Sequence, residues 1–264
     1  MLDADQPLFN AQNRSFRYGD GVFETIKVFQ NSINLADYHF ERLFTSLRLL
    51  QIQTNEDFTS DELSKNIIEL CRLNECSDLA RVRLSVFRSG DNKAGFVIEA
   101  FPLSVESTEL NKNGFTIGLY PFARKQCDSF ANLKTANYLA YVMAELYARE
   151  RGWDESIVLN TNNKISDASK ANIFLIIKNE IYTPALHQGC INGVMRRFII
   201  EQLKESGYLI NQTEVDENML QNADEVFLTN AIIGIKWVEQ FRGKQFICSG
   251  TTDIYKQIVA KIAG

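Results

Sequence analysis

Three groups of reactive residues follow one another in the second half of this chain. Lys134 lies in Leu133-Lys-Thr-Ala-Asn-Tyr138, at the expected start of a helix. Asp167 stands before Asn172 in Asp167-Ala-Ser-Lys-Ala-Asn172-Ile-Phe174. Asn192-Gly193-Val194-Met195-Arg196 heads a further expected helix. A lysine among apolar groups, here Leu133, Ala136, Leu139 and Ala140, can offer a neutral amine to a carbonyl. A carboxylate against a pyridine nitrogen keeps that nitrogen protonated, so the ring can accept electrons. The open N–H groups of a first helical turn bind phosphate, and glycine allows close backbone approach. Pyridoxal 5′-phosphate carries an aldehyde, a basic ring nitrogen and a phosphate, so these three groups suit it as cofactor.

Taken singly, each group also has a plainer explanation. Lys134 could be a solvated lysine at a helix start. Asp167 could be a turn residue closing the polar run Asn160-Thr-Asn-Asn-Lys-Ile-Ser-Asp167. Residues 192–195 could be an ordinary loop-to-helix junction. Arg42 could clamp a phosphate or lie on the surface of the Phe40/Leu43 helix. Arg81 and Arg83 alternate with Val82 and Leu84, so both point to one sheet face. There they could hold a substrate carboxylate or line a solvated strand. Tyr18-Gly-Asp-Gly21 is a glycine-rich approach to a strand, or a plain turn. The two histidines, His39 and His187, assemble no visible Ser/His/Asp set, and no GxSxG occurs, which disfavours hydrolase chemistry.

The surrounding pattern supplies the elements that must position these residues. Phe23–Phe29 alternates, as does Ile33–Leu35, with a hairpin turn at Gln30-Asn31-Ser32. Asp37 opens a helix with Phe40, Leu43, Leu47 and Leu50 on one face. Thr59-Ser-Asp-Glu62 reads as a capping box for a helix through about Leu73. Strands are expected over 80–87, 95–101 and 115–120. A long helix is expected over 134–151, followed by strands near 155–160, 172–178 and 180–183. A helix over 193–206, strands near 208–213 and 225–228, and a last helix over 252–262 complete the pattern. Antiparallel strands with grouped helices make an α+β chain. The expected division is a smaller domain over 1–120, a linker over 121–131 and a larger cofactor-binding domain over 132–264.

Bulk composition narrows the partners. The chain has 264 residues, 45% apolar and 23% charged, enough for one or two domains with cores. A net charge of -5, with no basic run longer than a pair, disfavours nucleic acid and anionic membrane. The five cysteines include no CxxC pair, so a zinc site of ordinary spacing is not expected. Their odd number and scatter suggest reduced thiols and a cytoplasmic protein. The first ten residues show no leader pattern, and no apolar run reaches membrane-spanning length.

The order and spacing of these pieces resemble the fold-type IV pyridoxal-phosphate enzymes, the class IV aminotransferase family. The likeness runs from Phe16–Thr25 through His39–Leu43, Lys134–Asn137, Asp167–Phe174 and Tyr182–Pro184 to Asn192–Arg196 and Thr229–Ala231. It implies a two-domain α+β fold: a small N-terminal α/β sandwich and a larger C-terminal domain with a mixed sheet or barrel core. It implies that Lys134 carries the cofactor covalently and that Asp167 faces its ring nitrogen. Arg42 and the backbone of Gly193, Val194 and Met195 would hold the phosphate, and Tyr138 would lie near the cofactor hydroxyl. The family usually has the longer glutamate at the Asp167 position. It often places a hydroxyl residue where this chain has Ala231, so Thr229 or Asn230 would substitute. The resemblance further implies an amino-acid-like small-molecule substrate and a homodimer. The short length, Gly19-Asp-Gly21 and the compact lysine-to-asparagine spacing favour lyase action on 4-amino-4-deoxychorismate, releasing pyruvate and 4-aminobenzoate. The alternatives are branched-chain or D-amino acid transamination, or a non-catalytic protein retaining the fold.

Overall fold

Strand alternation and one capped helix build the first of two compact units. The computed structural model describes residues 6–263. The leader-free reading of the amino terminus rests partly on residues 1–5, which lie outside the described residues. A short helix α1 (Arg14–Tyr18) leads into β1 (Gly21–Phe29). The expected hairpin follows, with Gln30 and Asn31 both at positive φ, 47° and 58°, joining β1 to the two-residue β2 (Ser32–Ile33). Helices α2 (Ala36–Leu49) and α3 (Ser60–Leu73) come next, then strands β3 (Leu79–Arg88) and β4 (Ala94–Pro102). The Thr59 hydroxyl accepts from the Glu62 N–H at 3.2 Å, the predicted cap of α3. Such a cap stabilises a helix by about 1 kcal/mol.

The four strands form one antiparallel sheet in the order β2-β1-β3-β4. Val22, Ile26, Val82 and Leu84 project from it into a core shared with Leu43, Leu47, Leu63 and Ile67. Arg81 and Arg83 occupy the opposite phase of β3 from Val82 and Leu84, so the expected sharing of one face holds.

The second unit is a larger mixed sheet. After a short α4 (Val105–Thr108), it contains β5 (Phe115–Lys125), α5 (Leu139–Glu150), β6 (Glu155–Asn160), β7 (Ile165–Ala168), β8 (Asn172–Ile177) and β9 (Glu180–Pro184). It continues through α6 (Val194–Glu205), β10 (Ile210–Thr213), α7 (Glu217–Asn222), β11 (Glu225–Asn230), β12 (Gly234–Phe241), β13 (Lys244–Gln245) and α8 (Ser249–Ile254). The helical path extends beyond α8 through Tyr255–Val259 and Ala260–Ala263. The strand order is β10-β9-β8-β11-β12-β5-β6-β7, with β13 on β12. The β10/β9, β12/β5 and β5/β6 pairs are parallel and the others antiparallel. The sheet curls until β7 packs against β8 and β9, a half-barrel filled by Ile157, Ile165, Ile173, Leu175, Val226 and Leu228. On the other face of β8 and β11, Phe174 and Phe227 stack with ring centroids 4.8 Å apart and planes 4° from parallel.

The units differ from the expected division in two places. Unit 1 runs to Val105 and takes in Leu133–Tyr138, while unit 2 holds Glu106–Asn132 and everything from Leu139. The expected linker over 121–131 is strand as far as Lys125, because β5 extends between β6 and β12. The expected long helix starts at Leu139 rather than residue 134. Residues 134–136 are extended because they bond to β1: Phe23 N–H donates to Lys134 O at 3.0 Å and Ala136 N–H to Gly21 O at 2.8 Å.

Candidate active site

In unit 1, the backbone pairing with β1 fixes Lys134 against two aromatic rings. Its Nζ lies 4.5 Å from the Phe23 ring centroid and 5.4 Å from that of Tyr138. The two rings meet edge to face, 5.4 Å apart. The close approach depends on Gly19, at φ 65°, where a Cβ would lie 2.9 Å from the Asn137 Cβ. The Arg83 guanidinium stacks 3.9 Å from the Phe23 centroid, while Arg81 is exposed. Burial holds the Arg83 guanidinium below its ordinary pKa.

Beside this lies a buried charge cluster that sequence reasoning missed. Glu24 occupies the core phase of β1, between Val22 and Ile26, yet is only 2% exposed. Arg42 Nε donates to Glu24 Oε1 at 2.8 Å, Arg42 Nη2 donates to Oε2, and His39 Nδ1 lies 2.7 Å from Oε2. Burial pushes the Glu24 carboxyl up, but Arg42 and His39 outweigh it and bring it down to about 2. Burial pushes the His39 imidazole down, so the ring is neutral at pH 7 and its Nδ1–H is the donor to Glu24. His39 Nε2 is buried without a hydrogen-bond partner. The sequence signal was available: a charged residue in the apolar phase of an alternating strand. Arg42, expected to clamp a phosphate, has its Nε and Nη2 committed to Glu24.

In unit 2, Asp167 is a strand residue of β7, paired with Val158 of β6, and not part of the polar turn. It is 2% exposed. Its Oδ2 accepts from the Tyr141 hydroxyl at 2.7 Å and the Ile191 N–H at 2.9 Å. Its Oδ1 accepts from Asn172 Nδ2 at 2.7 Å. Lys125 Nζ stands 4.0 Å from Oδ2. Burial raises the Asp167 carboxyl above its ordinary pKa, against the Lys125 charge and the three donors.

Asn172 ties this acid to the start of α6. Its Nδ2 also donates to Ile191 O at 2.9 Å, and a Cβ on Gly193 would sit 1.9 Å from its Oδ1. Gly193 is the N-cap of α6 and, having no side chain, makes no cap hydrogen bond to that first turn. Val194 and Met195 follow it, both buried. The Thr229 hydroxyl donates to Gly234 O at 2.6 Å. Asn230 Oδ1 accepts from the N–H groups of Ile232 and Ile233 at 2.9 and 3.0 Å, so both side chains are engaged in the turn between β11 and β12.

These donors fit pyridoxal 5′-phosphate. The uncapped start of a 12-residue helix suits a phosphate, and a buried carboxylate suits a cationic ring nitrogen. Among the described residues, no group of three His, Cys, Asp or Glu side chains could hold a metal ion.

The small antiparallel sheet and the curled mixed half-barrel are those of the fold-type IV pyridoxal-phosphate enzymes. A model of the amino-transferase class IV family matches residues 21–241. The chain therefore belongs to that family of pyridoxal-phosphate-dependent enzymes. It is 32% identical over 237 residues to the aminodeoxychorismate lyase of Bacillus subtilis, covering 84% of this chain and 78% of that protein. It is 25% identical over 258 residues to the D-alanine aminotransferase of Bacillus licheniformis, covering 95% and 88%. The branched-chain aminotransferase of Thermoproteus uzoniensis, solved with norvaline, superposes with a TM-score of 0.88 at 25% identity, covering 100% of this chain and 92% of that one.

Proposed function

We propose that this chain is a 4-amino-4-deoxychorismate lyase that releases pyruvate and 4-aminobenzoate. The observation that carries this reading is the 32% identity to the Bacillus subtilis lyase across 84% of the chain. The compact Lys134-Thr-Ala-Asn137 spacing supports it. Transamination is the second reading, favoured by the broader coverage of the D-alanine aminotransferase, 95% of this chain.

Bound pyridoxal 5′-phosphate supplies an aldehyde carbon and a protonated ring that accepts electrons from the substrate. Lys134 would hold the aldehyde group, and its amine would move the proton of the substrate's α-carbon. Phe23 and Tyr138 flank that amine and restrict its approach. Asp167 would hold the proton on the ring nitrogen. The Gly193, Val194 and Met195 backbone would bind the phosphate, with Thr229 and Asn230 shaping the neighbouring turn, and Arg42 would add charge. Tyr138 would serve the cofactor hydroxyl, and Arg83, with Arg81, would meet a substrate carboxylate.

We further propose a cytoplasmic homodimer. All five cysteines are unpaired, and α5 exposes Leu139, Val142, Met143 and Leu146 along one face. Among the described residues, no helix is long and apolar enough to cross a membrane.

A paired assay tests the activity. Pyruvate release from aminodeoxychorismate is followed with a coupled enzyme, beside amino transfer from branched-chain and D-amino acids to 2-oxoglutarate. Pyruvate release without amino transfer supports the lyase; the reverse pattern removes it.

A further inference from the structure

One buried cation in unit 2 has no part in the scheme above. Lys125 ends β5, and its side chain is largely buried. Its Nζ donates to Ala131 O at 2.7 Å and to the Tyr141 hydroxyl oxygen at 2.7 Å. The Tyr141 hydroxyl in turn donates to Asp167 Oδ2 at 2.7 Å. The direction of this chain is fixed. An ammonium group only donates, so the phenol oxygen must accept from it and pass its own hydrogen to the carboxylate.

We propose that Lys125, acting through Tyr141, is the positioning residue that keeps Asp167 ionised. The inference rests on the reading of Asp167 as the acid that faces the ring nitrogen. It matters because a carboxylate accepts the ring N–H, whereas a carboxylic acid presents a proton of its own.

The other groups around Asp167 cannot take this part. Asn172 and the Ile191 N–H are neutral donors. Burial pushes the neighbouring Cys190 thiol up to about 12, so it is uncharged at neutral pH. Arg196 keeps its charge and senses Asp167, but its guanidinium is bonded to Pro184 O at 2.8 Å and Gln212 Oε1 at 3.0 Å, and its Nε is buried without a partner, so it joins no relay to the carboxylate. Among the described residues, Lys125 is the one cation within 4.0 Å of the carboxylate. Burial pushes the Lys125 ammonium below its ordinary pKa, while its charged or titratable neighbours Asp167, Cys190, Asp128 and Cys127 all favour the ammonium form. An opposite charge at this distance moves a carboxyl titration by about one to three pH units. The relay thus opposes the burial that raises the Asp167 carboxyl.

The test is a 13C titration of aspartate carboxyls in the cofactor-free protein, with Asp167 assigned from the Asp167→Asn variant. In Lys125→Met the Asp167 midpoint should rise by about one to three units. Tyr141→Phe should raise it by less, and Lys125→Arg, which keeps the charge, should stay near wild type. An unchanged midpoint in Lys125→Met overturns the proposal, as does a wild-type Asp167 already protonated at pH 7. If Lys125→Met fails to fold, Tyr141→Phe decides, and no upward shift there is equally fatal. A second arm records visible absorption after adding pyridoxal 5′-phosphate. No cofactor uptake together with a shifted Asp167 midpoint refutes the assigned function and leaves the relay standing. Uptake with an unmoved midpoint does the opposite.

Discussion

Replacing Glu24 with Gln should destabilise the first unit, and the amount follows from the buried cluster. The carboxylate carries both Arg42 contacts and the His39 contact, and it is 2% exposed. Its pKa falls from the usual 4.5 to about 2 in the folded protein. A depressed folded value means the stabilisation is complete above the unfolded pKa and is lost as pH falls toward the folded one. That difference is worth about 3 kcal/mol at pH 7. It agrees with the roughly 3–5 kcal/mol lost when one partner of a buried ion pair is removed. The assay is urea unfolding at pH 7, 6 and 3, with hydrogen exchange read on peptides from β1 and α2. Glu24→Gln should lose about 3 kcal/mol at pH 7. Between pH 6 and pH 3 wild type should lose about 2 kcal/mol more than the variant, because only wild type has this group to protonate. A loss below about 1 kcal/mol at pH 7, the level of an ordinary exposed pair, would refute the reasoning. So would parallel acid curves for the two proteins.

Three further outcomes follow from unit 2. Gly193→Ala places a Cβ 1.9 Å from Asn172 Oδ1 and forces that side chain off Asp167 and Ile191 O. It should destabilise the protein by about 1–3 kcal/mol and weaken cofactor uptake in an absorbance titration; wild-type behaviour in both would show that Asn172 is not held as described. Phe227→Ala leaves Phe174 without its stacked partner in a fully buried site. It should cost about 3–5 kcal/mol by urea denaturation, and a loss under 1 kcal/mol would contradict that packing. Asp167→Asn should keep the covalent cofactor and lower turnover at least about tenfold, the cost of one charge-assisted contact; unchanged turnover takes Asp167 out of the mechanism.

Elements whose residues obey one period were legible in the sequence. Strand β3 alternates against a one-sided core, and Thr59 announces α3. Strand β7 was not legible because all four of its residues are buried, including Ser166 and Asp167, so no alternation marks it. On local grounds alone Asp167 therefore resembles a turn residue, although its position in the motif marks it as the acid facing the ring nitrogen. Lys134 was read as the head of a helix because nothing local shows that β1 claims its backbone. Strand β12 escaped notice because Lys236 and Trp237 interrupt its apolar run; Trp237 pairs with Asn111, far off in sequence. Lys125 fell in an aperiodic stretch, and only the folded sheet brings it to Tyr141 and Asp167.

The most direct measurement traps the cofactor on the chain. Purified protein is loaded with pyridoxal 5′-phosphate, reduced with borohydride, digested and mapped by mass spectrometry. The account predicts a pyridoxyl group on the peptide containing Lys134, and its absence from Lys134→Ala. An adduct on Lys27, Lys125 or Lys236, lysines whose amines burial holds below the ordinary range, would contradict it.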